Sequence, residues 1–284
     1  MIHMTYTGSC VIDGITVMCS SMNSVLEQKP LFYDHILGLR DKLTKTGNVT
    51  TKGPSDADGL LNVQKRTYRY SPGLAKASIS GPVPSEGFQR ILNKAVHGDE
   101  INVVMTFYKT DAPQVTVSKA IIASLSIDVK AGEVVSFSME IVGASYIFSE
   151  GQASVMAECA KLLTWDRCII SATPITHGIS SFSISINNPP IPIYTTKWTQ
   201  DVESNGMMPQ KIRIGIQEVT GSIGVYGADP IDAPSTGTVS FDLNGSGKKI
   251  QALFVQPKDD ASTGQYIRTV TFTGVSDSTI WEDL

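Results

Sequence analysis

The chain has 284 residues, 41% of them hydrophobic and 18% charged, with a formal net charge of −4. That length suits two domains of ordinary size, and the acidic balance argues against a surface that binds nucleic acid tightly, since such affinity comes from Lys and Arg releasing counterions. No apolar run approaches the roughly 20 residues that cross a bilayer, and the start Met1-Ile2-His3-Met4-Thr5-Tyr6 lacks the basic and apolar regions of a signal peptide, so a protein that folds in a cytosol with no membrane contact is expected.

Period-two alternation dominates the chain. In 181–186, and over 134–142 with Val135, Phe137, Met139 and Ile141 on one face, small polar residues separate apolar ones, the pattern of antiparallel strands buried on one side only. The first strands, Cys10-Val11-Ile12 and the run from Gly14 to Asn23, have counterparts in Cys168-Ile169-Ile170 and the run from Gly178 to Asn187. Further along, the stretch from Ala77 to Gly81 matches that from Gln217 to Gly221, the stretch from Val103 to Phe107 matches Thr238 to Phe241, and the run from Gly132 to Gly143 matches Gly264 to Gly274. Matches in one order point to an internal duplication. Two unrelated β-rich domains, or one β-rich domain without a repeat, are the alternatives.

Between the strands, 25–66 forms a long arm that begins with Leu31, Phe32, Tyr33, Ile36 and Leu37 and passes into a polar stretch. Its counterpart is the shorter arm 189–211, with Ile193, Tyr194 and Trp198. Loops of this length are usually functional or disordered, and aromatic residues on them favour contacts with another chain; completing the core of their own domain is an equal reading. A helix is signalled over 85–97, with Ser85 as its cap, an apolar stripe of Phe88, Ile91, Leu92, Ala95 and Val96, and Gly98 as its stop. The matching place at 227–236 holds Pro230 and Pro234, so the helix there is absent or reduced. A second helix over 152–163, or an irregular linker, connects the halves. Gly-rich hairpin turns follow at 244–247 and 258–264. The expected division is therefore a first domain at 1–147, a connecting segment at 148–163 and a second domain at 164–284.

Signatures of catalysis are missing. Gly245-Ser246-Gly247-Lys248-Lys249 has Asp242 and Lys249 where a phosphate-binding loop needs Gly and Ser or Thr, so it reads as a hairpin turn. No H-x-x-x-H, G-x-S-x-G or C-x-x-C occurs, and His3, His35, His97 and His177 are scattered. Neither an enzyme nor a cofactor or metal site is expected. Cys10, Cys19, Cys159 and Cys168 read as reduced residues on strands, or as cross-links between subunits made after the protein leaves a reducing cytosol.

The alternating strand Phe182 to Ile186 ending in Asn187-Asn188, the arm that follows, and the return through Ile212 to Ser222 together resemble bacteriophage tail tube proteins. So does the first half, where the run from Pro72 to Gly81 precedes the helix from Ser85. The resemblance implies two tandem tail-tube-like antiparallel β-sandwich or barrel domains, the first with a flanking helix, in a virion protein of the tail made in the host cytoplasm. It further implies subunits joined edge to edge into a ring, as trimer or hexamer, that forms the tube or a tube-like baseplate ring. Partners would be itself and other tail tube, sheath or baseplate proteins, with DNA passing through unbound. Leu31, Phe32, Tyr33, Ile36, Leu37, Ile193, Tyr194 and Trp198 are the expected assembly contacts. The alternative from a different class is a tandem β-sandwich that binds carbohydrate or a host surface.

Overall fold

The computed structural model describes residues 6–27, 30–37, 63–70, 73–108, 113–150, 161–173, 175, 178–194, 208–227, 234–245, 247–260, 266–275 and 281–283. The protein is mainly β, and among the described residues one α-helix interrupts the strands. Every strand pairing whose register is described is antiparallel. The expected mainly β class with exposed sheet faces therefore holds.

In the first half lie β1 (Gly8–Ile12), β2 (Ile15–Cys19), β3 (Ser21–Glu27), the arm strands β4 (Pro30–Leu37) and β5 (Val63–Tyr70), then β6 (Leu74–Pro82), β7 (Ile101–Phe107), β8 (Gln114–Lys130) and β9 (Ser136–Ser149). The second half holds β10 (Cys168–Thr173), β11 (Ile179–Asn187), the arm strands β12 (Pro190–Ile193) and β13 (Lys211–Ile214), then β14 (Glu218–Tyr226), β15 (Ser235–Leu243), β16 (Gly247–Asp260), β17 (Ile267–Gly274) and β18 (Trp281–Asp283). Pairing order is the same in both: β1-β7-β8-β9-β6-β3 in the first half and β10-β15-β16-β17-β14-β11 in the second. Four of the five pairs of matching sequence blocks fall on strands that hold the same place in these two orders; the exception is the run from Gly14 to Asn23, which lies mostly on β2, a strand without a counterpart in the second half, and reaches β3, the equivalent of β11, only at its end.

Register refines the correspondence. Gly143 stands opposite Ala120, and Gly274 opposite Ala252. Just beyond, both ladders shift register, after Ile122 on β8 and after Val255 on β16, so each copy has a bulge in this stretch, the second copy's one strand pair further along. Counting from the two glycines, Ala77 (opposite Ile141) and Gly221 (opposite Phe272) are equivalent. The sequence match of Gly81 to Gly221 is thus displaced by four residues along equivalent strands. A period-two strand is nearly self-similar under even shifts, so the pattern alone cannot fix its register.

The two ladders end differently. In the first half the Asp13-Gly14 turn, with φ of 45° and 83°, folds β2 back on β1, and only Ser20 separates β2 from β3. Since β3 pairs with β6, that ladder closes on itself as a barrel. In the second half no β10–β11 ladder is present among the described residues. The halves do not separate at 148–163, because residues 124–130 of β8 pair with residues 181–187 of β11 and make one fourteen-stranded sheet.

Helix α1 (Phe88–His97) buries the expected stripe Phe88, Ile91, Leu92, Ala95 and Val96. Phe88 packs on Phe137 of β9, with ring centroids 5.4 Å apart. Gly98 at φ 66° ends the helix and donates its N–H to the Lys94 carbonyl. Ser85 does not cap it: the N-cap is Gly87, and Ser85 instead lies buried with its N–H on the Lys161 carbonyl and its own carbonyl accepting from Asn244 Nδ2. Of the connecting segment 152–163, residues up to 160 lie outside the described ones. Leu162 and Leu163 are extended, not helical, with Leu163 donating to Val83 and accepting from Val135. The second-half counterpart of α1 falls largely on 228–233, also outside the described residues.

The cores differ in kind. Phe182, Phe241, Phe254 and Phe272, all at most 1% exposed, fill the second half, with Phe182 5.4 Å from Phe241 and 6.3 Å from Phe272. Mostly aliphatic residues, with Phe137 and the face of α1 that carries Phe88, fill the first. Both arms begin as hairpins: β4 pairs with β5 from Pro30 opposite Tyr70 to Leu37 opposite Val63, and β12 pairs with β13 over four residues. Residues 27–73 and 195–208 form a compact unit of their own, and the rest of the chain forms the other.

Candidate assembly surface

The β8–β11 joint is built from one apolar and one polar row. Leu125, Ile127 and Val129 of β8 stand opposite Ile186, Ile184 and Phe182 of β11, and all six are at most 1% exposed. On the other face Ser126 Oγ donates to Ser185 Oγ at 3.0 Å across the joint, and Ser183 and Ser222 hydroxyls bond at 2.8 Å one strand further on. Alternation in all these strands gathers the small polar residues on one side. The resulting concavity, about 600 Å³, is lined by Ser126, Asp128, Ser138, Ser183, Ser185, Thr220, Thr271 and Thr273, among others. It spans strands of both halves. Hydroxyl groups stay hydrated without fixing a counter-charge, so this face is wet and weakly charged.

Helix α1 locks the same region from behind. Asn188, fully buried at the end of β11, donates Nδ2 to the Ala95 carbonyl at 2.7 Å and to the Ile122 carbonyl at 3.0 Å. Gln217 donates Nε2 to the Val96 carbonyl at 3.0 Å and to Asn188 Oδ1 at 2.7 Å, while its Oε1 accepts from Trp281 Nε1 at 2.6 Å. Residues of the second half thus satisfy last-turn carbonyls of the first-half helix, groups that have no partner inside the helix. At the helix start Gln89 Nε2 donates to the Asn244 carbonyl in the β15–β16 turn. One helix serves both copies.

Two further contacts tie down β18. Lys248, 3% exposed, donates to Asp283, and Lys249 bonds Glu282 at 3.0 Å. The hydrogen bond from Lys248 and then its charge hold the Asp283 carboxyl below the usual carboxylate range. The residues Gly247 to Lys249 therefore open the hairpin strand β16, paired with β15, as the sequence suggests.

Of the expected assembly contacts, Leu31, Phe32, Tyr33, Ile36 and Leu37 lie together on β4, whose backbone is described and whose side chains are not. Ile193 is half-buried at the end of β12, opposite Lys211, and Tyr194 beside it is half-buried, with its phenol pushed up by burial. Trp198 lies outside the described residues. Cys10 and Cys19 are free, fully buried thiols, and Cys168 is free and half-buried; Cys159 lies outside the described residues. Burial raises all three, Cys19 to about 12 and Cys168 to about 11. Among the described residues no group of three His, Cys, Asp or Glu could hold a metal, and no helix is long and apolar enough to cross a membrane. In the sequence Asn188 and Gln217 stand out only as ends of strand motifs, and nothing in it singles out Trp281; the one signal for the bridging role of the two amides is an apolar period broken by an amide at a strand end.

A scan against protein-family models matches no family, and a search of curated protein sequences finds no similar protein.

Proposed function

We propose that the chain is a structural subunit of a bacteriophage tail, assembling into a ring that forms or initiates the tail tube or joins it to the baseplate. The observation that carries this reading is the joint itself: two copies of one ladder order are already paired edge to edge, through β8 and β11, into a continuous sheet. A fold that extends by pairing edges needs further copies to cover its remaining edges, which otherwise invite uncontrolled association. In this reading the hydroxyl-lined face turns to the channel. DNA slides past a wet wall of hydroxyl groups, while the acidic Asp128 on that face discourages sticking.

The unequal halves favour a ring with two unlike faces over a subunit that stacks on itself without limit. Electron microscopy of the purified full-length protein is the test. Rings or short tubes with a central channel support the proposal; a monodisperse monomer at all concentrations and salt conditions sinks it. A glycan array with specific binding lost in Trp198→Ala would install the carbohydrate-binding module in its place.

A further inference from the structure

Residues 124–130 of β8 pair with β11 on one side, and 124–128 of them with β9 on the other, shortly after the stretch that pairs with β7 and ends at Ala120. Its equivalent in the second copy is the end of β16. There Thr236 and Ser235 of β15 pair with Leu253 and Phe254, the last β16 residues to have a β15 partner, and 255–260 continue along β17. Among the described residues no strand pairs with the opposite side of 255–260. The equivalence is close: Val255 opposite Thr271 corresponds to Ser124 opposite Glu140, and Asp260 opposite Ile267 to Asp128 opposite Ser136.

The complementary edge can be located in the same way. Ser20 N–H donates to the Ser80 carbonyl, and a Cβ on Gly81 would strike Met18 O and approach Cys19 Cα, which sets Gly81 opposite Cys19 and Ala77 opposite Asn23. Gly221, the equivalent of Ala77, stands opposite Ile184. Asn23 on β3 is therefore equivalent to Ile184 on β11, and residues 20–26 to 181–187. In the second copy that stretch of β11 is paired with β8; in the first copy β3 pairs with β6, and among the described residues its other side has no strand partner. Each of these two edges bears an exposed valine, Val25 at 45% and Val255 at 44%. The counterpart of Val25, Ile186, stands opposite Leu125 in the joint inside the chain and is fully buried.

We infer that residues 255–260 of one chain pair antiparallel with residues 22–26 of the next, repeating between chains the joint that β8 and β11 make within one. The occupant of each edge is a second copy of this chain, head to tail. In the inferred register Val255 faces Leu26 and Asp259 faces Asn23. The joint between chains is more polar than the one within, because β3 carries Asn23 where β11 carries Ile184, as suits subunits that must fold before they assemble. This inference rests on the ring proposed above and names the surface that closes it.

The test uses full-length protein lacking the two cysteines that are not fully buried or not described (Cys159→Ser, Cys168→Ser). Leu26→Cys chains are mixed with Val255→Cys chains, allowed to assemble, and oxidised. The expected result is a covalent dimer in the mixture, roughly tenfold above that from Leu26→Cys with Asp260→Cys, whose positions are too far apart in this register for a disulfide. Asn23→Cys with Asp259→Cys should cross-link as well, which guards against one pair being poorly oriented. Rings that form with no preference for the matched pairs overturn this joint and leave the ring standing. Chains that stay monomeric under all conditions overturn the ring and the joint together.

Discussion

The first-half ladder closes into a barrel through the Asp13-Gly14 turn, whereas the second-half ladder, in the same strand order, is held by its neighbour. One strand order thus reaches two endings. The barrel meets its own need for partners along β1 and β2 and leaves β3 as an edge. Across the joint, β11 takes its partner from β8, its core from four phenylalanines and its rear cover from a helix that belongs to the other copy. The second half is therefore the dependent one, and damage at the joint should harm it first.

The largest effect should come from a charge placed in the joint. Ile127→Asp puts an unpaired carboxylate opposite Ile184, where both residues are at most 1% exposed, and should cost on the order of 4 kcal/mol or more in chemical denaturation. If the halves were independent domains, the same variant would split unfolding into two transitions with one unchanged. Next, Phe241→Ala in the aromatic core should cost about 3–5 kcal/mol, somewhat more than Leu92→Ala on the helix at about 2–5 kcal/mol. Equal loss of near-ultraviolet circular dichroism in both variants would weaken the contrast between the two cores.

Much of this comparison was legible in the sequence. The stripe on α1 and its Gly98 stop, the alternating strands and the order of the repeated blocks all follow from local periodicity, which a chain carries in plain view. The β8–β11 joint was not, since strand pairing leaves no mark in either strand beyond an apolar period that β9 or β14 explains equally well. Ser85 misled for a related reason: it sits where a cap should, yet its backbone is committed to Lys161 and Asn244, a tertiary demand invisible locally. The arms were read as long loops because Phe32 and Tyr33 stood out more than the β4–β5 period around them.

Smaller perturbations sharpen the role of the shared helix. Asn188→Ala leaves the Ala95 and Ile122 carbonyls without that donor and should cost about 1–3 kcal/mol; a loss confined to the thermal stability of the first half would contradict the bridging role. Gly98→Ala, at φ 66° and against Ile214, should cost about 1–2 kcal/mol by the same measurement. The Asp283 carboxyl, lowered by Lys248, contributes stability that is present above the ordinary carboxylate range and fades as pH falls through it, so Asp283→Asn should flatten the acid limb of a melting-temperature profile. Least of all in energy, Cys10 and Cys19 should resist a thiol reagent at pH 8 in the folded protein and react on unfolding, their thiols being buried and raised.

Hydrogen exchange across the joint tests the central claim most directly. If one sheet runs through both copies, peptides covering residues 124–130 and 181–187 should exchange as slowly as the β9 and β14 strands beside them, and should be released together in denaturant. Fast exchange at 181–187 with β14 still protected would mean that the two ladders are merely adjacent, and the joint could not serve as the pattern for a ring.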